Sequence, residues 1–260
     1  MTWRVGVVGS PIAHSLSPLL HETGLKLCGL EGTSRRVELN LKGAKKLGTI
    51  LKADFDALSV TSPLKSAAFE LCDEVSEVAS RTKSVNSLLV REGRVLGAST
   101  DGEGFLNAVM RSYGPVIENA HVVVLGAGGA ASAIVDALVH HGVGSVVVHG
   151  RNEAKVEELA SRSKNVFSGS LVYRPVDLVV NTVTAGGRDV EAAVLQGVHH
   201  ETIAVDITYE PRNSTWRQLY IDAGCRTMNG LAMLAYQAAL QMDWWWDASL
   251  DGAALLQTLQ

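Results

Sequence analysis

The sequence predicts two α/β units in series, the second a doubly wound parallel sheet with helices on both faces. Three observations predict this. Short β-type runs alternate with helical patterns along most of the 260 residues. The stretch Ser99–Gly104 interrupts that alternation with polar and glycine residues. Beyond it, strands and helices follow one another almost singly, which calls for crossover connections and parallel pairing. With 47% hydrophobic and 19% charged residues, the chain can bury the cores this needs.

Arg4–Val8 is the first β-type run and ends at Gly9. Ser17-Pro18 opens an apolar-periodic stretch through Leu19, Leu20 and Leu27, with Ser17 expected as N-cap, Pro18 as the first helical residue and Gly29 as the terminating glycine. A second helical pattern runs through Leu41, Ala44, Leu47, Ile50 and Leu51, and Ala57–Thr61 reads as a strand. After Pro63 a helix carries Ala67, Phe69 and Leu71. Leu88–Val90 and Val95–Ala98 flank the Glu92-Gly93 turn as a hairpin. Phe105–Met110 reads as a connecting helix. The second half then offers strands at Val122–Leu125, Val146–Val148, Leu178–Val180 and Ile203–Val205, with helices at Ala130–Val139 and Ala154–Ser161. An alanine-rich helix over Gly230–Ala239 is expected to return to the first section. The expected division is therefore 1–101, 102–230, and C-terminal helices over 231–260 packing back on the first unit.

Charge and cysteines exclude several classes. The net charge is -4 and its signs are interspersed, so no basic stripe offers itself to nucleic acid. No apolar run reaches the roughly 20 residues of a membrane helix, and Met1–Ser10 lacks the basic flank and apolar stretch of an export signal. Cys28, Cys72 and Cys225 are too few and too scattered for a disulfide framework or a CxxC site, which suits a reducing cytoplasm. No histidine and carboxylate cluster has metal-ligand spacing. Trp244-Trp245-Trp246 reads as a packing cluster, or as a subunit contact where it is exposed, and the oligomeric expectation is monomer or homodimer.

Directly after Val122–Leu125 stands Gly126-Ala127-Gly128-Gly129-Ala130-Ala131, which fits G-x-G-x-x-A and opens a helix. The first glycine permits the tight turn, the second lets backbone approach a pyrophosphate, and the small third residue allows close helix–strand packing. The helix N-terminus adds amide donors and a favourable dipole. The second unit is thus expected to be a Rossmann-like dinucleotide-binding domain. Where an NAD enzyme places an acid for the ribose hydroxyls, this chain reads His149-Gly150-Arg151-Asn152-Glu153-Ala154-Lys155. Arg151, helped by Lys155, matches a 2′-phosphate in geometry and sign, so NADP is the expected cofactor. As a bland alternative, Arg151 and Lys155 are solvated residues at the start of a surface helix.

Segments elsewhere resemble one enzyme family. Gly9-Ser10-Pro11-Ile12-Ala13-His14-Ser15-Leu16-Ser17-Pro18 is similar to the N-terminal signature of shikimate dehydrogenases. Ser59-Val60-Thr61-Ser62-Pro63-Leu64-Lys65 resembles the family's N-V-T-x-P-x-K, Ser84-Val85-Asn86-Ser87 its A-V-N-T, and Ser99-Thr100-Asp101-Gly102 its N-T-D-G. Asp206-Ile207-Thr208-Tyr209-Glu210-Pro211 resembles D-x-x-Y-x-P, and Gly230-Leu231-Ala232-Met233-Leu234 with Gln237 resembles G-x-x-M-L-x-x-Q. The resemblance implies reversible NADPH-dependent reduction of 3-dehydroshikimate to shikimate in aromatic amino acid biosynthesis. It implies Lys65 and Asp101 as the catalytic pair. Ser15, Ser17, Thr61, Asn86, Tyr209 and Gln237 are then substrate-binding candidates, and Gly126, Ala127, Gly128, Gly129, Ala130, Arg151, Lys155 and Gly230 cofactor-binding ones. The residue types suit an acid with vicinal hydroxyls and a ketone oxygen that gains negative charge.

Ser59 departs from the motif's asparagine, which removes an amide near a ring hydroxyl, and Ser84, Ser87, Ser99 and Gly150 are smaller departures. Two rivals follow. An NAD-dependent quinate or shikimate dehydrogenase is disfavoured by the missing ribose-binding acid. A non-catalytic dinucleotide-binding protein is disfavoured by the retention of both Lys65 and Asp101.

Overall fold

The computed structural model describes residues 2–169, 175–183, 194–211 and 214–260. These form an α/β protein of two compact units, Met1–Phe105 with Leu234–Gln260, and Leu106–Met233.

The first unit is built on a mixed sheet ordered β2-β1-β3-β5-β6-β4. Its strands are β1 (Thr2–Gly9), β2 (Glu31–Glu38), β3 (Ala57–Val60), β4 (Glu74–Val75), β5 (Ser87–Arg91) and β6 (Arg94–Ala98). β1 pairs in parallel with β2 and β3, while β5 runs antiparallel to both β3 and β6. The β5–β6 hairpin is the expected one. Its turn puts Glu92 and Gly93 at φ 53° and 77°, the positive values a tight hairpin requires. One apolar cluster joins Val8, Leu58, Val60 and Leu88 of the strands to Leu51, Leu64 and Ala68 of the helices α2 (Leu47–Asp54) and α3 (Lys65–Leu71) with their flanks.

α1 (Ser17–Leu27) starts one position earlier than expected. Its N-cap is Leu16, and Ser17 is the first helical residue rather than the cap, because the Ser15 hydroxyl accepts the Ser17 N–H at 3.3 Å and brings the chain into the turn sooner. Gly29 ends the helix as expected, at φ 65°, with the Leu30 N–H returning to Leu25 O at 2.8 Å. The helical pattern over Leu41–Leu51 is two pieces. A 3-10 segment, Leu41–Lys46, is capped by Asn40 and runs into α2.

Strand β2 has no counterpart in the sequence reading. Its residues, EGTSRRVE, lack apolar alternation because it is an edge strand whose polar side chains serve neighbouring segments. Short β4 and α4 (Glu77–Thr82) were likewise not signalled by periodicity.

The second unit carries a wholly parallel sheet ordered β12-β11-β10-β7-β8-β9. Its strands are β7 (His121–Leu125), β8 (Ser145–His149), β9 (Val166–Ser168), β10 (Leu178–Asn181), β11 (Ile203–Asp206) and β12 (Arg226–Met228). From β7 the chain proceeds through β8 to β9 on one side, then returns to β10 on the other. The order reverses between β7 and β10, the switch point of a doubly wound sheet, where ligands bind beyond the strand C-termini. Val123, Val179 and Ala204 pack on Trp216 and Tyr220 of α8 (Thr215–Asp222). The helices α5 (Asp101–Tyr113), α6 (Gly129–His140), α7 (Glu153–Ala160), α9 (Leu231–Trp246) and α10 (Gly252–Gln257) complete the described elements.

Candidate active site

The glycine turn lies at the switch point of the second sheet. Gly126 adopts φ 116°, and a Cβ there would lie 2.1 Å from Thr182 Oγ1 at the end of β10, so both conformation and space demand glycine. The Gly126 N–H donates to His149 O at 2.6 Å, and Thr182 Oγ1 donates to Leu125 O at 2.7 Å, tying the three strand ends together. Gly128 is the N-cap of α6, and a Cβ there would meet nothing within 4 Å among the described residues. That open side fits the approach of a pyrophosphate to backbone amides. Ala131 is fully buried, as the small residue that packs helix on strand should be. Gly150 has a packing reason too: a Cβ there would lie 3.5 Å from Ala127 and 3.1 Å from Val156.

At the end of β8, Arg151 is exposed, and Asn152 caps α7 by accepting the Lys155 N–H at 3.1 Å. Lys155 therefore has a structural role through its backbone, with its side chain left in solvent. His149 is half-buried, its Nε2 has no partner among the described residues, and burial lowers its pKa.

In the first unit, Lys65 opens α3, and its Nζ lies 2.5 Å from Asp101 Oδ2 at the start of α5. The side chains are only 15% and 6% exposed. Asn86, fully buried between β3 and β6, directs Nδ2 to Asp101 Oδ1 (2.9 Å), Thr100 Oγ1 (3.0 Å) and Gln237 Oε1 (3.1 Å). Its Oδ1 accepts the Thr100 N–H at 2.9 Å. An ammonium has several protons, so Lys65 can satisfy Asp101 and still offer a donor elsewhere. Ser87 Oγ and Ser99 Oγ, two of the motif departures, are buried without a partner among the described residues.

Ser15 and Ser17 are buried with their hydroxyls 3.3 Å apart. The loop that holds them is fastened by the polar edge strand. Arg36 donates through Nε and Nη2 to Ser15 O at 2.9 and 2.6 Å, while Glu38 accepts from Ser10 Oγ at 2.6 Å and from the Ile12 N–H at 3.1 Å. Thr61 follows β3, and Gly9 lets it approach: a Cβ at Gly9 would lie 2.4 Å from Thr61 Cγ2. Lys65, Asp101, Asn86, Gln237, Ser15, Ser17 and Thr61 all belong to the first unit.

Tyr209 belongs to the second unit, on a loop pinned by Asp206. Asp206, 1% exposed, accepts from Asn181 Nδ2, the Thr208 N–H and hydroxyl, and the Ser214 hydroxyl at 2.6–3.1 Å. Gly230 is demanded by packing, since a Cβ there would lie 1.9 Å from Ile207 O.

His21 and Gln241, two buried polar residues bonded to Ser59, were not signalled by the sequence motifs. His21, on the inner face of α1, lies between Ser34 Oγ (2.8 Å) and Ser59 Oγ (2.9 Å), and burial pushes its pKa down to about 3. Gln241, one turn beyond Gln237 on α9, accepts from Ser59 Oγ at 2.5 Å. The available signal was spacing: His21 follows Ser17 by four positions, and Gln241 follows Gln237 by four.

A family model described as the shikimate dehydrogenase substrate binding domain matches residues 7–88, and one described as shikimate / quinate 5-dehydrogenase matches residues 109–215. The shikimate dehydrogenase (NADP(+)) of Roseobacter denitrificans is 33% identical, over 95% of this chain and 93% of its own. That of Oceanobacillus iheyensis is 30% identical over 94% and 92%. The crystal structure of shikimate 5-dehydrogenase from Thermus thermophilus in complex with NADP(H) and shikimate is 32% identical, covers 98% of both chains and has a TM-score of 0.83.

Proposed function

The chain belongs to the shikimate dehydrogenase family, and we infer from that membership that Lys65 and Asp101 flank the reacting carbon of its substrate. It is an NADP-dependent shikimate dehydrogenase, an oxidoreductase that reversibly reduces 3-dehydroshikimate to shikimate in aromatic amino acid biosynthesis. The observation that carries the catalytic assignment is the buried Lys65–Asp101 pair with Asn86 donating to the same carboxylate.

As the ketone is reduced its oxygen gains negative charge, and the Lys65 ammonium stabilises that charge and hands over the proton. In the reverse direction Lys65 accepts the hydroxyl proton. Asp101 keeps the ammonium oriented, and the Asn86 amide fixes the carboxylate. The paired hydroxyls of Ser15 and Ser17 are suited to the substrate carboxylate. Thr61, Asn86, Gln237 and Tyr209 offer groups that give and accept hydrogen bonds to its ring hydroxyls. The substrate groups are thus assigned chiefly to the first unit.

The open glycine turn fits NADP. Gly126, Ala127, Gly128, Gly129 and Ala130 would hold the pyrophosphate, Arg151 and Lys155 the 2′-phosphate, and Gly230 would line the approach of the cofactor. When bound, the nicotinamide supplies or takes up the hydride. The described cysteines are free, as in a reducing cytoplasm, where we place the enzyme as a monomer or homodimer. No helix among the described residues is long and apolar enough to cross a membrane.

The test is a four-way panel, NADP or NAD with shikimate or quinate, followed by nicotinamide absorbance, with Lys65→Ala as control. Turnover confined to shikimate with NADP, and lost in the variant, is the expected result. Turnover mainly with NAD or quinate would move the enzyme to the catabolic reading, and silence throughout would leave a binding-only protein.

A further inference from the structure

A hydrogen-bonded chain buried in the first unit extends beyond the groups that the reaction needs. It runs Ser34, His21, Ser59, Gln241, then to Asn86 and Gln237, and so to Asp101 and Lys65. Its direction follows from the chemistry of each group. Asn86 O can only accept, so the Gln241 group 3.0 Å from it is the amide nitrogen. Gln241 Oε1 then faces Ser59, whose hydroxyl donates to it at 2.5 Å. That hydroxyl has no second proton, so His21 Nε2–H donates to Ser59 Oγ at 2.9 Å, and Nδ1 accepts from Ser34 at 2.8 Å. A neutral imidazole satisfies both bonds, consistent with a pKa of about 3.

The same orientation propagates toward the catalytic pair. Gln241 Nε2 also donates to Gln237 Oε1 at 2.8 Å, which makes that oxygen an acceptor for Asn86 Nδ2 at 3.1 Å. Asn86 is thereby held with its nitrogen, not its oxygen, toward Asp101 Oδ1. His21, Ser59 and Gln241 are 0%, 5% and 1% exposed, so water does not compete for these bonds.

We propose that Gln241 is a positioning residue of this dehydrogenase: it supplies from α9 the side-chain amide that the N-V-T-x-P-x-K motif carries at position 59, and it locks the Asn86 amide toward Asp101. The proposal rests on the dehydrogenase reading. In this chain the Gln241 amide joins Ser59 to Asn86, its Oε1 accepting the Ser59 hydroxyl and its Nε2 donating to Asn86 O.

The test compares Gln241→Met, Ser59→Ala, Gln241→Ala and Ser59→Asn/Gln241→Ala with the parent, measuring kcat and KM for shikimate and for NADP. Gln241→Met is expected to lower kcat on the order of tenfold, the effect of leaving one buried partner unpaired, with KM for NADP unchanged. Ser59→Ala, which deletes a single oxygen and is the milder change should Gln241→Met fail to fold, shows the same kcat-selective loss to a smaller extent. Returning the amide to position 59 in the double variant recovers most of the kcat that Gln241→Ala loses. A Gln241→Met enzyme with parental kcat and only a lower Tm overturns the proposal, and so does a double variant no better than Gln241→Ala. Should the parent neither bind nor turn over shikimate, the dehydrogenase reading falls. The orientation is then decided by nitrogen resonances of His21: an Nε2–H tautomer that becomes mixed in Gln241→Met supports it, and an unchanged tautomer refutes it.

Discussion

Replacing Lys65 with methionine removes the ammonium while keeping much of the side chain's reach, and it separates two roles that the wild-type pair combines. Deleting one partner of a buried ion pair costs roughly 3–5 kcal/mol. Here Asp101 keeps its 2.9 Å bond from Asn86 Nδ2, and Lys65 is 15% exposed, so the low end applies. A loss of about 3 kcal/mol corresponds to a Tm lower by roughly 6–12 °C for a chain of this size class. The rate should fall further than stability alone explains. Removing a preorganised donor to a developing oxyanion lowers kcat by about 10²–10³. Lys65→Arg is the control, because a guanidinium keeps the charge beside Asp101 but presents its protons in a rigid fork. It should hold most of the Tm and still lose at least about tenfold in kcat. Initial rates at saturating shikimate and NADP, together with thermal melts by circular dichroism, supply both quantities. A Lys65→Met enzyme that melts early yet turns over within about threefold of the parent would refute the catalytic assignment and leave Lys65 as a structural partner of Asp101.

Arg151→Ala should reduce the preference for NADP over NAD by about tenfold or more, measured as the ratio of kcat/KM values, since one charge-assisted contact to the 2′-phosphate is lost; an unchanged ratio would assign Arg151 to solvent. Gly126→Ala forces a side chain onto φ 116° and onto Thr182 Oγ1, 2.1 Å away, a strain of about 1–3 kcal/mol, so NADPH affinity by fluorescence titration should weaken on the order of tenfold. Binding as tight as the parent's would contradict the assigned turn. His21 makes stability pH-dependent. Its folded pKa of about 3 lies below the ordinary 6.5, so between these values the unfolded chain binds the extra proton and stability falls as pH falls. Urea midpoints at about pH 7 and about pH 5 should show a steeper loss in the parent than in His21→Gln, and equal slopes would show that burial of this imidazole is not responsible.

Much of this fold was legible because its signals are local. The Val122–Leu125 run ahead of glycines, the Glu92-Gly93 turn and Gly29 each mark a backbone geometry that few other residues allow. What escaped was set by neighbours. β2 carries no apolar alternation, since Arg36 and Glu38 fasten the Ser10–Ser15 loop and Ser34 faces His21. Its pairing to β1 comes from the sheet edge and not from any β-pattern of its own. Ser17 read as a cap by residue type, yet the Ser15 hydroxyl moved the helix start. Gly230 stood out only as part of a linear motif, while the packing that demands its lack of a side chain comes from Ile207 O.

The sequence by itself determined two α/β units, the nucleotide turn and the residue types of a carbonyl-reducing site, because glycine geometry, strand–helix alternation and linear motifs are written in neighbouring residues. Only the tertiary structure decided which of those residues meet. Lys65 and Asp101 lie 36 positions apart, and Ser59 and Gln241 lie 182 apart, yet each pair is joined by a hydrogen bond. No local rule could reveal that a serine substituted for a motif asparagine is completed by a glutamine near the other end of the chain. That pairing exists because a buried hydroxyl must find a partner, and the fold brings Gln241 to it.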